Sequence, residues 1–118
     1  MRSFRHLIAT LAILAASALP AAAEGFLSAC EDLPLAPGLW EVAGSGVAFD
    51  SPAGRIVEAY AKGAVDAALV LRFYSGTLPQ LGWTREADTR FRREAEVLRL
   101  DTAADGPALV VHFTISPE

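Results

Sequence analysis

Only residues 64–81 of this chain carry apolar side chains at helical spacing, and that constrains the fold most. Val65, Ala68, Leu69, Arg72, Phe73 and Gly76 fall on one stripe at intervals of three and four. Leu71, Tyr74, Leu78 and Leu81 widen the apolar surface. Pro79 forces the helix to end or change character near Thr77-Leu78, and Gly82 is a natural stop. The rest of the domain reads as strands. Residues 47–50 and 55–61 flank Ser51-Pro52-Ala53-Gly54 and predict a hairpin. Residues 83–85, 90–93 and 95–101 follow, with a bend near Glu94. Residues 102–107 form a turn through Asp105-Gly106-Pro107, and 108–116 alternate cleanly as a strand. One helix can cover only one face of a sheet. The expectation is an α+β fold: one amphipathic helix packed on one face of a mostly antiparallel sheet, in the order β-β-α-β-β-β.

Alternation then sorts the side chains. Leu109, Val111, Phe113 and Ile115 should meet the helix, while Ala108, Val110, His112 and Thr114 point away. Leu98 and Leu100 go in; Val97 and Arg99 go out. With Val57, Ala59 and Ala61 inward, Ile56, Glu58 and Tyr60 lie on the open face. The opposite register would press Glu58 toward the core, which is costly for an unpaired carboxylate. The open face therefore gathers Glu58, Tyr60, Arg99, His112 and Thr114 as a candidate binding surface.

Residues 1–23 have the three parts of a secretory signal. A short basic start holds Arg2 and Arg5, residues 7–19 are apolar, and Pro20-Ala21-Ala22-Ala23 offers small residues for cleavage after Ala23. The apolar run is short for a membrane span. Setting this segment aside removes two arginines and no acid, so the remainder is more acidic than the whole chain's −4. Such a domain is a poor partner for nucleic acid, which needs clustered cations. Residues 24–45 read as an extended lead-in, with Pro34 and Pro37 blocking helix. Its leucines and Trp40 are expected to dock on a single domain spanning 46–118.

The chain has one cysteine, Cys30, so no intramolecular disulfide forms. Leu27-Ser28-Ala29-Cys30 also fits a lipobox, which would make Cys30 an acylated N-terminus in place of cleavage after Ala23. A nucleophilic role would need an activating partner, and the sole histidine beyond the signal, His112, is far along the chain. No metal-ligand spacing, phosphate-binding glycine loop or GxSxG elbow is present, and no cofactor is expected. Arg85, Arg90, Arg92, Arg93 and Arg99 resemble a basic cluster, but Glu86, Asp88, Glu94, Glu96 and Asp101 in the same window cancel it. Alternating charge of this kind discourages strand edges from pairing with other chains.

Two runs carry a resemblance. Phe49-Asp50-Ser51-Pro52-Ala53-Gly54-Arg55-Ile56-Val57-Glu58-Ala59, and Phe73-Tyr74 followed by Thr77-Leu78-Pro79-Gln80-Leu81-Gly82-Trp83, resemble small exported (periplasmic) proteins of alphaproteobacteria. The resemblance covers about residues 47–99 and brings no activity, ligand or catalytic residue with it. The leading expectation is an exported, non-catalytic binding or accessory module of the bacterial envelope, with an envelope protein or a small ligand on its open sheet face. Membrane contact would come only through an acylated Cys30. The alternatives are a lipid-anchored structural protein and a small periplasmic enzyme using His112 with Glu58 or Tyr60.

Overall fold

The computed structural model describes residues 25–118; the expected signal segment, 1–23, lies outside the described residues. Two short strands, β1 (Phe26–Leu27) and β2 (Cys30–Pro34), pair as an antiparallel ribbon. β3 (Trp40–Glu41), β4 (Val47–Ser51) and β5 (Gly54–Gly63) lead to the helix α1 (Ala67–Thr77). A 3-10 turn over Leu78–Leu81 extends it. Then β6 (Thr84–Ala87), β7 (Arg90–Arg93), β8 (Glu96–Asp105) and β9 (Ala108–Pro117) complete a seven-stranded sheet. Its order is β3-β5-β9-β8-β7-β6, with β4 joining β3 on the outer side of β5 and every pair antiparallel.

Among the described residues the α+β class, with a mostly antiparallel sheet and one short helix, is as read from the sequence. The order of elements there differs: five strands precede α1 and four follow. The two-residue strands β1 and β3 are too short to show any period. β6 is exposed along its whole length and has no inward side to alternate with.

The helix is also shorter than residues 64–81, and it faces differently. Pro79 cannot donate a backbone hydrogen bond, so the chain tightens into the 3-10 turn and stops at Gly82, whose φ is +95°. α1 buries Val70 and Tyr74, and Leu78 continues that line. Tyr74 meets Phe113 of β9 edge-on at 5.6 Å. The stripe expected inside is not the one that faces the sheet, and Leu69 is 55% exposed. Both stripes are apolar, and spacing alone does not rank them.

The lead-in packs into the same core. Leu27, Cys30, Leu33, Leu35, Ala36 and Leu39 are buried with the sheet residues. Tyr74 ties it down, donating its hydroxyl to the Pro34 carbonyl at 2.7 Å and accepting the Ala36 N–H at 3.0 Å. Further on, the lead-in passes so close to β5 that a side chain on Gly63 would stand 1.9 Å from the Gly38 carbonyl oxygen. Trp40 departs from expectation: it is 58% exposed.

The sheet residues sort as alternation predicts, with Val57, Ala59, Ala61, Leu98, Leu100, Leu109, Val111, Phe113 and Ile115 buried. Val97 is the exception. It shares the face of Arg92 and Ser116, yet only 2% of it is exposed.

Candidate functional site

The centre of the open face is built by three adjacent strands. Register sets Tyr60 of β5 opposite His112 of β9, and His112 opposite Asp101 of β8. One step along, Thr114 stands between Glu58 and Arg99. The four candidate residues, Glu58, Tyr60, Arg99 and His112, therefore lie on one face. Three of them touch. His112 Nε2 and Glu58 Oε1 are 2.9 Å apart. The His112 ring stacks on Tyr60 with centroids 4.2 Å apart and planes 3° from parallel. Arg99 stands apart: among the described residues neither its side chain nor that of Asp101 makes a hydrogen bond or an ion pair.

This geometry fixes the His112 ring without enclosing it. General acid–base chemistry needs a substrate held against the imidazole, usually in a concave site. Side chains here stand on a sheet surface, with His112 27% and Glu58 48% exposed. Two hollows described in the fold are lined instead by residues of α1 and its neighbours.

The open face continues into an apolar end that the sequence reading missed. Val47 pairs with Glu58, Phe49 with Ile56, and Trp40 with Lys62, so all three point to the same side as Tyr60. Trp40, Val47 and Phe49 are each at least half exposed. The sequence signal was available in Val47-Ala48-Phe49, an uncharged alternating run. Only β5 pairs with β4, which leaves the other side of β4 as an open edge among the described residues.

Cys30 has a different setting from that of a reactive or surface thiol. It is 3% exposed and donates to Asp32 Oδ1 at 3.1 Å. Burial, followed by the hydrogen bond and charge of Asp32, pushes its pKa up to about 11. A thiol in this state is a weak nucleophile at neutral pH. Partial desolvation acts upward on the Asp32 carboxyl. Its hydrogen bonds from Cys30 and Arg93 outweigh that and hold it below its ordinary value. Arg93 in turn lies over the Trp83 ring at 4.2 Å.

No group of three or more His, Cys, Asp or Glu among the described residues is arranged to hold a metal ion. No helix among them is long and apolar enough to cross a membrane. Neither a protein-family model, nor a curated protein, nor a solved structure matches the chain.

Proposed function

We propose that this chain is an exported, non-catalytic binding module of the bacterial envelope. It takes an extended segment of a partner protein along the free edge of β4. The observation that carries this reading is the edge itself. β4 is a regular five-residue strand with Asp50 as its only charge, next to exposed Trp40, Val47, Phe49 and Tyr60. An unguarded edge of this kind offers backbone hydrogen bonds to an added strand. Its exposed side chains offer apolar contact, and the Glu58–His112 pair beside them supplies a polar rim.

Export rests on the signal-like residues 1–23 and on the resemblance to small periplasmic proteins. Cleavage after Ala23 suits the fold better than processing at Cys30. Processing there would remove Leu27, which is 1% exposed in the core, and would require the buried thiol to reach a lipid. The proposed form is therefore free in the periplasm. The enzyme reading loses ground because His112 stands on an exposed sheet surface.

Site-specific photo-crosslinking in the native compartment tests the binding surface. A crosslinking residue at Val47 should capture a partner, and one at Thr84 on the opposite edge should not. Phe49→Lys should abolish capture from position 47, because a charge on an edge strand blocks pairing. Equal capture from both edges, or capture from 47 that survives Phe49→Lys, would sink the reading. Capture of a second copy of this chain would replace it with self-association.

A further inference from the structure

The stripe that the sequence singled out on the helix serves the core only in part: Val65 and Phe73 are partly buried against it, and Leu69 is 55% exposed. Val65, Leu69, Arg72 and Phe73 also line a hollow of about 330 Å³ with Val70 and the lead-in residues Ala36 and Pro37. A helix apolar on both its inner and outer sides is normally covered on both. The hollow is at the small end of the volumes that hold small molecules. Among the described residues Arg72 is the only charged one lining it, and among them its side chain makes no hydrogen bond and no ion pair. It also lines a second, more polar hollow with Ala68, Leu71, Ser75, Arg85 and Asp88. Arg85 there is already held by Asp88 and Ser75. Arg72 is thus an unneutralised cation at the boundary of an apolar hollow, on a chain whose net charge is −4.

We infer that this hollow binds a small amphiphilic anion, a free fatty-acid-type carboxylate, with its acyl chain against Leu69, Phe73 and Val65 and its carboxylate on Arg72. Charge decides between occupants. A second copy docking the same face about a two-fold axis would bring two unneutralised Arg72 side chains into one interface, and like charges oppose that. A neutral apolar ligand would leave Arg72 unanswered. A guanidinium suits a carboxylate because its planar fork can donate two parallel hydrogen bonds. The site is separate from the β4 edge, and its failure would leave the edge reading untouched.

The test is titration of sodium decanoate, kept below its micelle concentration, into isotope-labelled protein purified in the form the cell processes. Amide signals of Val65, Leu69, Arg72 and Phe73 should move together and saturate. Decanol should bind more weakly, and decyltrimethylammonium, with the same tail and opposite charge, should not bind. Arg72→Gln should weaken decanoate about tenfold, the scale of one charge-assisted hydrogen bond. Arg72 is exposed, so the variant should keep its fold, and unchanged signals from Phe113 and Leu98 would verify that. Unmoved helix signals up to the micelle limit would overturn the inference. So would equal affinity for decanoate and decanol, or an Arg72→Gln affinity equal to wild type. Binding only to anionic vesicles, not to monomeric decanoate, would also overturn it in favour of a membrane surface.

Discussion

The two edges of the sheet are finished in opposite ways. At one edge β6 is short and irregular, with a bulge between Arg85 and Ala87. Its Glu86 accepts from Arg90 Nε at 2.9 Å and Arg92 Nε at 2.8 Å. Glu118 binds the same two arginines. Short length, a bulge and dense charge are the devices by which proteins keep an edge from pairing with another chain. At the other edge β4 keeps regular register over all five residues and leaves Val47 and Phe49 in solvent. Among the described residues the sheet thus guards one edge with charge and a bulge and leaves the other with Asp50 as the only charge on its strand.

Two phenylalanines test that contrast with the largest expected effect. Phe91 of β7, beside the guarded edge, is 0% exposed; Phe49 of β4 is 55% exposed. Phe91→Ala should cost about 3–5 kcal/mol in urea unfolding, because it removes a full side chain from the core and leaves a cavity. Phe49→Ala should change stability by no more than about 0.5 kcal/mol. If the two variants lost similar stability, β4 would be packed structure and not an open edge.

A smaller effect concerns the lead-in. It is tied to the helix, where Tyr74 holds Pro34 and Ala36. Burial pushes the Tyr74 hydroxyl well above its ordinary pKa, so it stays protonated and able to donate. Tyr74→Phe keeps the ring and deletes both hydrogen bonds. About 1–3 kcal/mol should be lost, since a buried N–H and carbonyl then stand unpaired. Hydrogen exchange at the Ala36 amide should accelerate more than at Phe113. Unchanged exchange at Ala36 would mean that the lead-in is held by its leucines alone.

How much of this was legible follows from where one period dominates. In β5, β8 and β9 apolar and polar residues alternate, so inward Val57, Leu98 and Phe113 and outward Glu58, Arg99 and His112 could be told apart from the sequence. Neighbourhood on the open face follows from that sorting once strand order is known. The helix defeated the same logic because two apolar stripes compete at one spacing. Val70, Tyr74 and Leu78 won through contact with β9, a long-range packing term that local spacing does not contain. Trp40 looked like a core anchor by size and hydrophobicity. β3, its two-residue strand, pairs it with Lys62 and points it outward, and no period could reveal that. β4 held the clearest overlooked signal. Its lack of charge was visible, but only its place at the edge turns that lack into a surface.

Acid should narrow the difference between the edges, and this is the smallest effect expected. Hydrogen bonds from Arg92, then Arg90, hold the Glu86 carboxyl below its ordinary value of 4.5, and Arg92 does the same for Glu118. A carboxylate depressed in the folded state contributes stability above its unfolded pKa, and the contribution disappears as pH falls through the folded one. Glu86→Gln should therefore lower the urea midpoint modestly at pH 6. The gap to wild type should shrink below pH 4.5 and close at lower pH. High salt at pH 6 should shrink it too, because exposed ion pairs are screened. A gap that persisted at low pH would assign Glu86 a packing role, and the guard on the β6 edge would then rest on its bulge and short length alone.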